Sequence, residues 1–245
     1  SWMHAGRRFK YEKETLLSFR VVQHLPCDSW AAQQQQRSTE PVLAIEAVPV
    51  KWRAKVKELS PRTTDFRAVV ADRATQYGRL PSATLRTRSR RRPSLKMVML
   101  AACLARSTDD KLSLAAWRTF SFVGTEHSIA NKQSIRASGL STQKCAAIEA
   151  LDGLAPEFWA TLWLRSTRQV LEDLTSIKHI SHKTVACLLM YGMQRPVVVV
   201  DRNVSRACHA TFGLSEKTPT DVIFWWLMSS APAGLLFDLS LLLLE

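Results

Sequence analysis

A lysine and an aspartate, Lys183 and Asp201, are the pair in this sequence whose types and spacing suit covalent chemistry. Lys183 falls in the first turn of a helix predicted for 182–192, whose inner side carries small and apolar residues. Asp201 precedes the next predicted helix as its N-cap. The positive end of a helix disfavours a protonated amine and burial adds to that effect, which leaves more free amine to attack an electrophilic carbon. A carboxylate beside this amine suits the role of base. Taken singly, Asp201 is more often only a helix cap and Lys183 only a surface lysine, so the prediction depends on the two together.

The elements that must position this pair are predicted to be helices joined by short loops. Ser94 is a predicted N-cap for the first of them, and weaker helical patterning precedes it in 50–77. Val197 to Val200 is the one strand-like run, and because Pro196 precedes it and an N-cap follows, we expect a buried extended linker. The fold class predicted is all-α, with further helices at 108–121, 128–138 (ended by Gly139), 141–151, 156–163, 166–174, 182–192, 201–212 (ended by Gly213), 220–229 and 233–244.

Charge is concentrated in the N-terminal part of the 245-residue chain. The formal net charge is +13, and residues 1–93 hold 19 Lys and Arg against 8 Asp and Glu. Such a balance favours a polyanionic partner, either nucleic acid or an anionic membrane surface. The arginine run of 86–92 suits phosphate contact without sequence readout, a nuclear-import signal or a merely soluble loop. Residues 1–50, which include a glutamine run, are predicted to be a poorly ordered basic extension.

The five cysteines are scattered, without a C-x-x-C pair or a histidine at zinc spacing. This usage is typical of reduced thiols in an intracellular protein, and it predicts no metal site. The apolar stretch of 235–244 is too short to span a membrane and is interrupted by Asp238. We therefore expect no membrane partner.

Three blocks of the sequence resemble the helix-hairpin-helix (HhH-GPD) DNA glycosylases, in particular the endonuclease III branch. Family members carry L-P-G-V-G-x-K-T-A, an apolar helix, and then P-x-x-V-D-T-H-V-x-R. This chain has I-K-H-I-S-H-K-T-V-A from Ile177, with Pro196 and V-D-R-N-V-S-R from Val200 downstream. The segments 101–109 and 135–144 are similar to the family's L-L-S-x-Q-x-T-D and I-x-x-x-G-L-x-x-x-K-A.

The resemblance implies a two-lobed helical fold. Residues 94–214 would form the glycosylase core, and 215–245 the C-terminal helices of the second lobe. Residues 51–93 would supply an N-terminal helix and an arginine-rich linker packing with the C-terminal lobe. Residues 1–50 would remain an irregular basic extension.

The same resemblance assigns roles to individual residues. Lys183 would be the nucleophile and Asp201 the catalytic carboxylate. Arg106 stands where relatives insert a Gln into the gap left by an extruded base, and an Arg can stack there and hydrogen-bond the orphan base. The implied DNA-binding residues of the hairpin are Lys178, His179, Ile180, Ser181, His182 and Thr184.

Two departures from the family pattern affect the hairpin and the cofactor. His179 and Ser181 replace glycines whose backbone amides approach a phosphate in relatives, so these side chains should strain or reshape the hairpin wherever φ is positive. The side chains of Lys178, His179 and His182 could contact the phosphate in place of some of the lost backbone contacts. No cysteine follows Cys208, so the ligands of the family's 4Fe-4S cluster are absent and no cofactor is expected in this chain.

The function implied is base-excision repair. A bifunctional DNA glycosylase with AP lyase activity would remove a damaged base, oxidised pyrimidines being the default of this branch and oxidised purines or methylated cytosine open alternatives. The implied partner is damaged double-stranded DNA, bound by a monomer that is intracellular, and nuclear if eukaryotic. Two other hypotheses remain open: a catalytically degenerate DNA-binding module, and a helical scaffold that binds proteins through exposed tryptophans.

Overall fold

The architecture is helical in the computed structural model, which describes residues 41–59, 65–77, 94–105, 122–123, 128–129 and 140–243. The helix predicted at 108–121, the arginine run, Arg106 and nearly all of the 1–50 extension lie outside the described residues. Within the described part, the predicted all-α class is confirmed. Ten α-helices are described: α1 (Val50–Leu59), α2 (Phe66–Tyr77), α3 (Leu95–Ala105), α4 (Thr142–Asp152), α5 (Pro156–Thr161), α6 (Thr167–Thr175), α7 (His182–Cys187), α8 (Arg202–Phe212), α9 (Thr220–Ser230) and α10 (Ala233–Leu242).

Short irregular turns extend three parts of this helical chain. Ile45–Ala47 forms a 3-10 turn before α1, and Leu162–Leu164 forms another after α5. Leu188–Gly192 continues α7 as a π-helix, closed by a hydrogen bond from Met193 N to Leu188 O at 2.9 Å. The helix predicted over 182–192 is therefore present, but its second half has a wider turn.

A two-residue antiparallel pair corrects one sequence prediction. β1 (Phe122–Val123) pairs with β2 (Ser128–Ile129), with Phe122 opposite Ile129. The prediction of a helix starting at Ser128 is wrong at its first two residues, because backbone pairing with a neighbouring strand occupies them. Two residues a strand are too few to produce a recognisable alternation in the sequence.

Local sequence explains where several helices begin and end. Ser166 starts α6 with a capping box, in which its hydroxyl accepts from Gln169 N and the Gln169 carboxamide accepts from Ser166 N. Ser141 caps α4 in the simpler way, and Pro156 occupies the first turn of α5. Gly213 ends α8 in the left-handed conformation, with φ of 59°.

The described residues fall into two compact units, the first of which lies within 94–193. Helix α3 is central to it and packs against α4, α7 and the π-helical turn. Its core side chains include Met99, Leu100 and Ile148, all fully buried. A buried ion pair joins Lys96 Nζ to Asp152 Oδ1 at 2.8 Å and fixes α3 to the end of α4.

The second unit contains 41–77 and 194–243. In it, α1 packs against α9, and α2 packs against α10. Phe66, Phe212 and Trp226 form an aromatic cluster with ring centroids 5.3 to 5.8 Å apart. This cluster joins α2, α8 and α9 in one core.

None of the described helices is long and apolar enough to cross a bilayer.

Candidate catalytic residues and nucleic-acid interface

The turn between α6 and α7 forms a tight hairpin in the first unit. Ile180 N donates to Ile177 O at 3.1 Å, and His179 has a φ of 69°. Lys178 is not among the residues with positive φ, so the turn combines a negative φ at its second position with a positive φ at its third, as a type II turn does. The strain expected at this glycine-replacing position is therefore present at His179.

Ser181, the second residue that stands in a glycine position, does not share this strain. Its φ of −105° and ψ of 161° are ordinary extended values, and its carbonyl accepts from Val185 N to begin α7. Its hydroxyl lies 3.2 Å from that of Thr184. A side chain at this position is accommodated without a left-handed backbone.

The predicted DNA-binding side chains of the hairpin differ in exposure. Lys178 is exposed, whereas His179 and His182 are half-buried. Ile180 and Thr184 are only 7% and 2% exposed, so these two side chains belong to the packing of the hairpin. Any phosphate contact at those two positions has to come from the backbone.

Lys183 lies in the first turn of α7, directly after the hairpin, and is half-buried. The next three residues, Thr184, Val185 and Ala186, are buried and hold this turn against the unit's core. The short helix therefore presents Lys183 at its boundary with solvent while the rest of the turn is fixed.

The π-helical end of α7 packs closely against α3. A Cβ added at Gly192 would lie 3.0 Å from Leu188 Cδ1, 3.2 Å from Leu95 Cδ2 and 3.3 Å from Val98 Cγ1. A Cβ at these distances would require its neighbours to move by a few tenths of an ångström, so glycine permits a closer approach to α3 than a larger residue would. The helix that carries Lys183 is thus held at both ends, by the hairpin and by this contact.

Asp201 lies in the second unit, where it caps α8. Its Oδ1 accepts from Asn203 N at 2.8 Å and from Val204 N at 2.9 Å. The capping role expected for this residue is present, and it fixes the orientation of the carboxylate at the start of an eleven-residue helix.

The passage that leads to Asp201 is buried, as predicted, and forms neither a helix nor a strand. Val197 to Val200 are all at most 5% exposed, and Val199 N donates to Ser240 Oγ on α10 at 3.0 Å. The Ser240 hydroxyl gives this buried amide the hydrogen-bond partner that a neighbouring strand would supply in a sheet. This bond fixes the chain two residues before the catalytic candidate.

Two features near this passage were not foreseen in the sequence. Gln194 has a φ of 54°, a left-handed backbone for which glutamine gives no compositional signal. Partial burial lowers the pKa of Arg195 from its usual value, although a guanidinium stays charged at any physiological pH. Arg106, the predicted gap-filling residue, lies outside the described part of the chain.

The described cysteines do not fit an iron–sulfur cluster. Such a cluster is held by four thiolate ligands. Among the residues that the structure describes, no group of three His, Cys, Asp or Glu side chains is arranged to hold a metal ion.

Solved structures with the same fold are helix-hairpin-helix DNA glycosylases. A trapped covalent intermediate between endonuclease III and DNA aligns with a TM-score of 0.51 and 18% identity, over 73% of this chain and 82% of that chain. A non-covalent endonuclease III–DNA complex gives 0.50 and 17%, with the same coverage. MBOgg1 in complex with a low-affinity DNA ligand gives 0.52 and 12%, over 78% of this chain and 69% of that one.

These likenesses establish the fold predicted from the three sequence blocks. The chain has the helical HhH-GPD glycosylase fold at low sequence identity. The sequence itself matches no protein-family model and no curated protein.

Proposed function

We propose that this protein is a base-excision DNA glycosylase with AP lyase activity, and that Lys183 is its nucleophile. The observation that carries the proposal is the position of Lys183 in the first turn of α7, directly after the hairpin, in a fold shared with a trapped endonuclease III–DNA covalent intermediate. A lysine amine is the group that a glycosylase needs to form a Schiff base with deoxyribose.

The proposed reaction begins with extrusion of a damaged base from the duplex. The free amine of Lys183 attacks C1′ of the deoxyribose, a C–N bond forms, and the bond from C1′ to the base breaks with its electron pair leaving on the base. The newly bonded nitrogen of Lys183 loses a proton, and the departing base takes up one proton. The Asp201 carboxylate stabilises the positive charge that develops on the sugar during this step.

The lyase step follows from the covalent intermediate. The nitrogen lone pair of Lys183 forms a C1′=N⁺ iminium as the C1′–O4′ bond breaks, and O4′ takes up a proton to become a hydroxyl. Loss of a proton from C2′ then expels the 3′ phosphate as the C3′–O bond breaks. Hydrolysis of the iminium returns the free lysine, so no oxidant or reductant is consumed.

The hairpin is the proposed site of phosphate contact. Lys178 is exposed there and His179 and His182 are half-buried, so all three reach solvent beside Lys183. Cationic or hydrogen-bonding side chains position a DNA backbone without reading sequence. Arg106 is proposed to fill the gap left by the base.

Strand cleavage on a panel of damaged duplexes tests the proposal. We expect nicking of at least one duplex carrying an oxidised pyrimidine, an oxidised purine or a methylated cytosine, and loss of that nicking in Lys183→Ala. Lys217→Ala is the matched control, because Lys217 is an exposed lysine in the loop before α9. Nicking that survives Lys183→Ala would remove Lys183 from the reaction.

A second candidate, a DNA-binding module without catalysis, is favoured by the hairpin. His179 occupies a left-handed position where relatives keep glycine, so a close approach of its amide to a phosphate meets a side chain. Such a module would bind undamaged and damaged duplexes with the same salt-dependent affinity and would nick none of them.

A further inference from the structure

The exposed side of α1, far from the hairpin in sequence, carries lysines at helical spacing. Helix α1 holds four basic residues and one acidic residue, and Lys51 and Lys55 are exposed one turn apart. We infer that Lys51 and Lys55 bind the phosphate backbone of duplex DNA, as a contact additional to the hairpin. The inference rests on the proposed function for its partner and deepens it by adding a second binding surface.

Both ammonium groups are held against one aromatic ring. Lys51 Nζ lies 5.2 Å from the Trp52 ring centroid and Lys55 Nζ lies 5.8 Å from it, within the range of cation–π attraction. Side chains that are already ordered lose less entropy when they bind a phosphate. The Trp52 ring therefore orders both ammonium groups before an anionic partner binds.

The helix that presents these lysines is fixed within its unit. Arg53 donates to Glu46 O at 2.8 Å and to Val48 O at 3.1 Å, which ties the first turn of α1 to the preceding segment. Val56 is fully buried, and α1 packs against α9. The lysines therefore project from a rigid element rather than from a loop.

The charge of these lysines is not neutralised within the described part of the chain. The ion pairs of Lys96, Arg165 and Arg168 have acidic partners outside α1, and Lys51 and Lys55 take part in no ion pair among the described residues. Glu58 lies three residues from Lys55 and seven from Lys51, but it forms no ion pair with either lysine where the structure describes the chain. A surface that keeps its cations exposed is complementary to a polyanion.

Duplex DNA suits this surface better than an anionic membrane does. A helix that lies on a membrane turns a broad apolar face to the lipid. In α1 the apolar Val56 faces the protein core, and the large apolar side chain exposed on it is Val50, at its first residue. Exposed lysines beside so narrow an apolar surface fit a phosphate backbone better than a lipid surface.

The salt dependence of binding to an undamaged duplex tests the inference. For the wild-type chain, the logarithm of the association constant should fall linearly with the logarithm of salt concentration. In Lys51→Ala/Lys55→Ala we expect weaker binding and a slope smaller in magnitude by about 1.8, because each lost phosphate contact removes about 0.9. Lys51→Arg/Lys55→Arg should keep the wild-type slope.

Arg67→Ala/Lys217→Ala is the control for net charge, since both residues are exposed in the same unit and outside α1. An unchanged slope in this control, together with an unchanged thermal transition in the α1 variant, supports the inference. A wild-type slope in Lys51→Ala/Lys55→Ala would overturn the inference while leaving the glycosylase proposal intact. An equal decrease of the slope in the control would do the same. So would a double variant that binds anionic vesicles more weakly than wild type but binds the duplex equally well. A wild-type protein that binds no duplex would overturn both proposals.

Discussion

Asp201 serves as a helix cap, and the proposed mechanism also requires its charge. Its Oδ1 accepts two backbone hydrogen bonds at the start of α8. An asparagine carboxamide oxygen caps a helix as well as an aspartate does, whereas it carries no negative charge. Substitution at this position can therefore separate the structural role from the chemical one.

We predict that Asp201→Asn keeps the free energy of unfolding within about 0.5 kcal/mol of wild type, yet loses most of the excision rate. Asp201→Ala should lose the excision rate and also about 1 kcal/mol of stability, because the cap is removed. Urea unfolding and single-turnover excision measure the two effects. Full excision by Asp201→Asn would show that the residue is only a cap.

His179 has the strained backbone that a glycine would relieve. At φ of 69°, a β-branched residue is disfavoured, while asparagine adopts this region readily. We predict that His179→Val is less stable than His179→Asn by about 1 kcal/mol. Both variants lose the imidazole and its contacts, so their difference in urea midpoint isolates the backbone effect. Equal midpoints would mean that the turn relaxes out of the left-handed region.

At the scale of elements, the attachment of α7 to α3 determines how firmly Lys183 is positioned. Gly192 permits the contact, since an added Cβ would lie 3.0 to 3.3 Å from three apolar side chains. The π-helical turn places this glycine against α3, and π-helical turns recur at functional sites. Loosening this contact should affect stability and the positioning of Lys183 together.

Gly192→Ala should destabilise the protein by about 1 kcal/mol or more, because the buried neighbours have little room to move. The matched control is Gly153→Ala at the end of α4. Gly153 is exposed with φ of −74°, and an added Cβ would meet only ordinary contacts at 3.4 Å and beyond. This control should be neutral or stabilise by about 0.5 kcal/mol. The reverse order of stabilities would exclude close packing of Gly192 against α3.

The sequence predicted most elements where a local signal exists. Asp201 and Gly213 delimit α8 because capping depends on one side chain and on one left-handed residue. The π-helical turn has no such signal, since it arises from packing against α3. The lysine spacing in α1 was visible in the sequence, but its relation to Trp52 depends on side-chain placement.

At the scale of the whole molecule, global stability should depend on the buried Cys208. Burial raises the pKa of this thiol to about 12 from an ordinary value of 9.0. Below pH 9.0 the thiol is protonated in both states and adds no pH dependence. Above it, the unfolded state ionises while the folded state does not, so the folded state loses stability as pH rises towards 12.

We predict that wild type loses stability relative to Cys208→Ala by up to about 1.4 kcal/mol per pH unit above the unfolded-state pKa. Urea unfolding at a series of alkaline pH values measures the unfolding free energy of both proteins. Subtracting one value from the other at each pH cancels the contribution of the other titrating groups. A constant difference between the two proteins across this range would contradict the burial of the thiol.

Three motif blocks predicted the fold, because the apolar spacing and the caps of a helical fold are local. The proposed roles of Lys183 and Asp201 are less determined by the sequence, since the proposed function requires the hairpin to bind DNA with His179 in place of glycine. Backbone conformation at one residue therefore bears on the activity of the whole protein.

Borohydride trapping tests the central claim most directly. Reduction of the Schiff base should join the protein covalently to a damaged duplex, and mass spectrometry of the digested adduct should place the sugar remnant on Lys183. Lys183→Ala should give no adduct, while Lys217→Ala should give the wild-type amount. An adduct on another residue, or nicking without any trapped complex, would contradict the assignment of Lys183 as the nucleophile.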